Sequence, residues 1–304
     1  MNLSRHSKAL LAAFGVYFIW GFTFYASSVA QQTASPLILL MYRFLLSSVL
    51  MLIPVALGRK KLRVKKEDFI ILLAMSLFEP GIYFIGEQYG IKYTNSSFAG
   101  IFISLIPLLD MVLADIFFKE KPVALQWIFC VVSILGVIAV TLLTSSAGGH
   151  ITVKGVFWLL VAVTSAGAYA TCNKALANRG IHPYTRTVFP LIVGAMFFAV
   201  GAIFESRKDL SQLIVPLRSL SFDLAVIYVA VFASVAGYSL YNYAIDNAPI
   251  ANVVSLNSIV TVISVIAGVV FLHEPFSFGA AIAMLVVIVG VWGVQKFTPE
   301  SVKK

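Results

Sequence analysis

Long apolar runs separated by short polar or proline-bearing breaks dominate the chain. Runs with few charges fall near residues 9–30, 36–57, 68–91, 94–118, 123–143, 155–177, 183–204, 221–245, 249–272 and 276–295. A helix needs about 20 apolar residues to cross the hydrocarbon core of a bilayer, and each run is close to that length. The breaks between them are chemical: Ser35-Pro36, the basic run from Arg59 to Lys66, Lys121-Pro122, Ala147-Gly148-Gly149, His182-Pro183, Pro249 and Glu274-Pro275. The pattern predicts an all-α integral membrane protein of ten transmembrane helices. The first run, preceded by Arg5 and Lys8, is too long for the 7–15-residue core of a signal peptide and reads as a retained first span.

Composition strengthens this picture. Of 304 residues, 60% are hydrophobic and only 12% are Asp, Glu, Lys or Arg, against about 25% in soluble domains. So little charge cannot cover a soluble particle of this size, which excludes an ordinary soluble enzyme. The net charge of +9 is spread along the chain rather than gathered on one face, so nucleic acid is not an expected partner. Cys130 and Cys172 both lie in apolar stretches and read as small buried hydrophobes rather than as a disulfide or metal pair.

The distribution of Lys and Arg sets the expected orientation, because cytoplasmic loops retain them. With ten spans, the termini and the even-numbered loops share one side. That side holds 14 of the 22 Lys and Arg and the other side five, leaving Arg43, Lys174 and Arg186 within spans. Both termini are therefore expected in the cytoplasm, with the chain integral to the plasma (inner) membrane. The 59–66 run reads first as a topology signal and, more sharply, as a contact for anionic lipid.

Two halves emerge when the chain is laid over itself with a shift of 154. Glu120 then falls on Glu274, Ser104 on Ser258 and Tyr89 on Tyr243. Val132, Ile134, Gly136 and Val137 meet identical residues at Val286, Ile288, Gly290 and Val291. The halves are placed at residues 1–147 and 148–304, each with five spans. Five is odd, so the halves run through the membrane in opposite senses, an arrangement found in secondary transporters with a site near the midplane.

The stretch from Glu87 to Gly100, with Pro107 and Glu120 after it, resembles the EamA family of the drug/metabolite transporter superfamily. So does its second-half counterpart: Tyr241-Asn242-Tyr243-Ala244-Ile245, Pro249, Ala251-Asn252, Glu274 and Gly290. Trp20-Gly21 is similar to the family's Trp-Gly element. The resemblance implies two inverted five-helix repeats around a central cavity lined by spans 1, 3, 4, 6, 8 and 9. It also implies export of amino acids or other small metabolites, with solute uptake and cationic drugs as variants. Glu79 and Asp110 belong to no motif carried across, so their roles rest on physical argument.

A charge at the bilayer centre costs about 2.5–3.5 kcal/mol or more, so each intramembrane acid is expected to be paired, wet or functional. Glu79 lies about 18 Å inside the outer end of span 3, immediately before Pro80-Gly81, where a helix loses a hydrogen bond and bends. It is the prime candidate for substrate binding and proton coupling; its bland alternative is a neutral acid bonded to a Ser or Tyr. Tyr83 and Glu87 follow at four-residue intervals. Glu87 is divided between pairing with Arg43 of span 2 and lining the outer mouth of the cavity. Asp110 is divided between a coupling role and a pair with Lys174, whereas Asp115 reads as a partner of Lys119 at i+4.

In the second half, Ser234, Tyr238, Tyr241 and Asn242 share a face of span 8, and Asn252 and Asn257 lie in span 9. All can hydrogen-bond in a cavity. Trp20, Tyr83, Tyr238 and Tyr241 would surround an organic cation beside Glu79; packing is their bland alternative. Gly136, Gly290 and Gly293 read as close-packing positions away from the cavity. His6, His150, His182 and His273 fall in termini or loops, which argues against an intramembrane enzyme, and no phosphate-binding motif points to ATP. A channel-like pore is the remaining rival.

The sequence thus predicts a non-enzymatic secondary transporter that exports amino acids or organic cations by alternating access, with protons as the coupling ion. No metal or other cofactor is expected. The partners are a small-molecule substrate and the lipid bilayer. The substrate-binding set is Trp20, Glu79, Tyr83, Glu87, Tyr238, Tyr241, Asn242 and Asn257, and the proton-coupling set is Glu79 and Asp110.

Overall fold

The structure, a computed structural model, describes residues 5–62, 64–118, 121–146, 151–248, 253 and 255–297. Helices α1 (Arg5–Ala30) and α2 (Pro36–Ala56) are followed by α3 (Lys66–Tyr93), in which a kinked stretch, Leu77–Ile82, joins two α-helical arms. Next come α4, in two pieces (Ser96–Ile103 and Ile106–Phe118), and α5 (Ala124–Ser146). The second half holds α6 (Val153–Asn178) and α7 (Pro183–Glu205). In α8, Leu220–Ile227 and Gly237–Asn247 flank the π-helical Tyr228–Ala236. Last are α9 (Ser258–Leu272) and α10 (Phe278–Lys296). Among the described residues nine helices are long and apolar enough to cross a membrane, and α9 is a shorter apolar helix. The predicted span 9 begins on residues that lie outside the described set.

Helix starts follow from the residues that precede them. Ser35 and Thr152 accept from the backbone N–H of Ile38 and Gly155 and so cap α2 and α6. Asn95 accepts from Phe98 N at 2.8 Å and caps α4. Such caps satisfy donors that hydrocarbon could not. Pro36 and Pro183 sit in the first turns of α2 and α7, where a missing N–H costs nothing.

The packing repeats itself when each helix is exchanged for the one five places away. α2 packs on α7, α4 on α9 and α5 on α10, each pair mapping onto itself. The α1–α8 contact corresponds to α6–α3, α1–α9 to α6–α4, and α2–α8 to α7–α3. This is the geometry of two inverted five-helix repeats. Large apolar side chains such as Val49, Ile138, Val200, Leu224 and Leu285 face outward, as a lipid-facing surface requires.

The α5–α10 seam is one of close backbone approach. A side chain at Gly290 would begin 2.7 Å from Ser133 N, and one at Gly136 3.0 Å from Val287 N, so only hydrogen fits between these backbones. Gln126 donates to Val294 O at 3.1 Å across the same seam. These glycines hold scaffold helices together away from the cavity, as their positions in the sequence suggest. The cysteines are free, Cys130 buried and Cys172 half-buried.

Candidate functional site

Glu79 marks a break in α3. Proline lacks an N–H and crowds the residue before it out of the helical region, and Glu79 accordingly adopts φ −142°, ψ 120°. A carbonyl exposed by the break, that of Phe78, accepts from Ser165 Oγ of α6 at 2.7 Å. The bend turns the Glu79 carboxylate into the space between the halves, where the Tyr238 hydroxyl donates to Oε1 at 2.6 Å.

The carboxylate faces a small cavity. Helices α2 and α3 contribute Phe44, Glu79 and Pro80; α6, α7 and α8 contribute Tyr169, Arg186, Thr187, Pro190, Leu191 and Tyr238. The walls therefore come from both repeats. They include α2 and α7, which the family pattern did not name, whereas among the described residues none of its lining comes from α1, α4 or α9. Arg186 and Thr187 stand in the first turn of α7, so the cavity extends from the middle of the bundle toward the face that carries both termini.

An aromatic cluster lies beside it. The ring of Trp20 packs edge-on to Tyr238 at 5.8 Å and tilts against Tyr241 at 5.5 Å, and Tyr17 adds a further ring at 5.7 Å from Trp20. The indole N–H donates to Ala233 O at 3.0 Å. Gly237 makes this approach possible, since a side chain there would start 2.7 Å from Trp20 Nε1. Trp20, Tyr238 and Tyr241 thus come together as anticipated, with Tyr17 added.

Tyr83 does not join them. Its hydroxyl donates to Glu87 Oε2 at 2.8 Å and its ring packs on Phe84 at 4.8 Å. Glu87 also accepts from Gln88 Nε2 at 2.9 Å. Gln88 reaches Ser27 at 3.1 Å, and Gln31 donates to Gln88 Oε1 at 2.8 Å. This buried network seals α1 against α3 on the side opposite the termini. The expected Arg43–Glu87 ion pair is not formed, and Glu87, buried in the network, does not line an open mouth. Arg43 instead donates from Nε to Ser234 Oγ at 3.1 Å and lies over the Phe84 ring at 4.2 Å, because its helix faces α8. Its Nη1 is buried without a hydrogen-bond partner.

The same closed side carries three further ties. Ser35 Oγ donates to Glu205 Oε2 at 2.5 Å, Lys154 donates to Tyr93 Oη at 3.0 Å, and Glu274 grips the start of α4. Glu274 Oε1 accepts from Ser96 N and Oγ, both at 2.7 Å, and Oε2 accepts from Ser97 N at 2.9 Å and Oγ at 2.5 Å. A carboxylate at a helix N-terminus is favoured by both orphan N–H groups and the helix dipole.

Of the other predicted residues, Asn257 is half-buried in the 3₁₀ turn that opens α9. The side chains of Asp110, Lys174 and Asn242, and all of Glu120 and Asn252, lie outside the described residues. Sequence reasoning missed Tyr169, Arg186 and Thr187 as cavity walls. The available signal was Arg186 itself, a cation placed within a span. Among the described residues no cluster of three His, Cys, Asp or Glu side chains is placed to hold a metal.

Comparison with known proteins adds independent information. Residues 7–142 and 153–295 match the EamA-like transporter family. The uncharacterized transporter YcxC of Bacillus subtilis is 28% identical over 95% of this chain and 93% of its own length. The uncharacterized inner membrane transporter YedA of Escherichia coli is 23% identical over 84% and 80%. A solved crystal structure superposes with a TM-score of 0.65 at 18% identity, covering 96% of this chain and 98% of that one, a likeness in fold.

Proposed function

Because the chain belongs to the EamA-like transporter family, we propose that it is a secondary transporter that exports small polar metabolites, amino acids or organic cations, by alternating access with proton coupling. It sits in the plasma membrane with both termini cytoplasmic. The observation that carries this reading is the Glu79 carboxylate, released from a broken helix into a cavity walled by both repeats and held by Tyr238. An acid in this position can exchange a proton for a solute ammonium group, since the two compete for the same oxygens. Asp110 is the second coupling acid of the proposal.

The opposite rim supports alternation rather than a permanent pore. It is closed by Gln31–Gln88, Ser35–Glu205 and Glu274 with Ser96 and Ser97. With the termini cytoplasmic, the cavity lies on the cytoplasmic side, ready to load a solute for export.

The test is uptake and counterflow in proteoliposomes under imposed pH gradients, for wild type and Glu79→Gln in parallel. Flux that rises with the gradient is expected in wild type, and its gradient-driven part is expected to vanish in the variant. Identical pH dependence in the two proteins would remove Glu79 from the mechanism.

A further inference from the structure

Two lysines meet an aromatic platform at the end of the bundle opposite the termini. Lys92 lies in the last turn of α3 and Lys154 in the first turn of α6. Thr152, which caps α6, donates to the Tyr93 carbonyl from its N–H at 3.2 Å and from its hydroxyl at 2.9 Å. The two helix ends are thereby fixed at one level. Tyr93 stacks on Tyr89 with ring centroids 6.2 Å apart, and Tyr89 stacks on Trp158 at 5.3 Å. Lys154 Nζ stands 4.2 Å from the centre of the Tyr93 ring and donates to its hydroxyl at 3.0 Å. Lys92 Nζ lies 5.9 Å from the centre of the Tyr89 ring, and both ammonium groups act electrostatically on Tyr93.

Two features of this placement call for an anion from outside the chain. The first turn of a helix is the end at which the dipole favours negative charge, so Lys154 stands where a cation is disfavoured. Lys92, at a helix C-terminus, is favoured by the dipole in any case. The face opposite the termini is also poor in Lys and Arg: along the chain it receives Lys92, Lys154, Arg207, Lys208 and Arg218, and two of these are gathered on one platform. Glu205, at the end of α7, is an acid within electrostatic reach of Tyr89, and its Oε2 accepts from Ser35 Oγ at 2.5 Å. The two lysines outnumber it, so the platform is net positive.

Below the lysines α6 turns an apolar stripe outward. Val153, Phe157 and Leu160 recur at i, i+4 and i+7 and are 87%, 56% and 49% exposed. Trp158 is half-buried beside them, its ring edge-on to Phe157 at 5.7 Å. Cations at the level of the helix ends, aromatic rings under them and a hydrocarbon-facing stripe beyond match a molecule with a phosphate at one end and acyl chains at the other. We propose that Lys92, Lys154 and the Tyr89–Tyr93–Trp158 platform form a site for an anionic phospholipid of the leaflet opposite the termini. The phosphate sits on the two ammonium groups and one acyl chain runs along Val153, Phe157 and Leu160. A lipid held there braces the end of α3 against the start of α6. The proposal needs the chain in a bilayer and is independent of what the chain transports.

The experiment reads the emission of Trp158 in the full-length protein, reconstituted in phosphatidylcholine liposomes with increasing fractions of phosphatidylglycerol brominated in its acyl chains. Bromine quenches tryptophan on contact, and the difference between wild type and Trp158→Phe isolates the Trp158 signal. Half-maximal quenching is expected at a phosphatidylglycerol fraction at least about tenfold below that needed with brominated phosphatidylcholine. Lys92→Gln and Lys154→Gln are each expected to raise that fraction about fivefold. Lys154→Arg, which keeps the charge, should stay near wild type, as should Lys60→Gln with Lys61→Gln on the opposite face. The thermal midpoint of each purified variant establishes that it is folded.

Equal quenching of Trp158 by the two brominated lipids overturns the site, and so does a wild-type preference that survives in the folded double variant Lys92→Gln/Lys154→Gln. Inorganic phosphate in the buffer is expected to leave the quenching unchanged. Displacement by it would assign the lysines to a free anion and overturn the lipid as occupant.

Discussion

Glu274, just past the end of α9, holds both the backbone N–H and the hydroxyl of Ser96 through one carboxylate oxygen, each at 2.7 Å. Its other oxygen does the same for Ser97. One side chain of the second repeat thus ties down the first turn of α4 in the first repeat. The contact sits on the rim that closes the cavity away from the termini, so opening that rim must break it.

Replacing Glu274 by Gln keeps the shape but removes the charge and puts an NH₂ where Ser97 N now donates. Hydrogen bonds to a charged group contribute about 1.5–3 kcal/mol each, so losing one or two of them should loosen the rim measurably. The expected result is a lower thermal midpoint and faster labelling by a membrane-impermeant maleimide of a cysteine placed at Gln31 on the same rim. Unchanged labelling would show that the contact is not part of the seal.

Tyr238→Phe separates the phenol from the ring. The ring contact with Trp20 survives, but Glu79 Oε1 loses its 2.6 Å donor. Transport is expected to fall about tenfold or more with little loss of stability. Tyr83→Phe makes the converse change, because its hydroxyl serves Glu87 in the buried seal and not the cavity. It should cost about 1–3 kcal/mol in stability while solute preference is unchanged. Paired transport and thermal unfolding measurements distinguish the two; equal transport defects would argue against this division of roles.

Gly290→Val probes the scaffold. A new side chain would start 2.7 Å from the backbone N of Ser133, an atom that cannot move without shifting α5. Overpacking of this kind costs about 1–3 kcal/mol. The variant should unfold at lower temperature and, where it folds, keep the wild-type pH-gradient dependence of flux. A changed dependence would mean that the α5–α10 seam communicates with the cavity.

Much of the site was legible because intramembrane polarity is costly. Glu79 before Pro80 stood out as an acid at a helix break, and the structure places it in the cavity wall. Of the four rings grouped around Glu79, Trp20, Tyr238 and Tyr241 come together, while Tyr83 turns to Glu87. Glu87 and Arg43 were not. Their similar depths suggested a pair, but depth along a helix says nothing about the direction in which it faces. The kink at Glu79 in α3 and the π-helical turn of α8 rotate the residues that follow them relative to a regular helix, and no spacing rule in the sequence announces that rotation.

What the sequence by itself determined is the set of spans, their inverted repetition and the family. Those follow from run lengths, from the odd number of helices per half and from residue patterns that survive without contacts. Only the tertiary structure decided that Arg186 and Tyr169 share a cavity with Glu79, that Arg43 turns to Ser234, and that Glu274 binds the start of α4. In each case residues more than 80 positions apart meet, and their meeting is set by how ten helices rotate and tilt to satisfy packing and buried polar groups together.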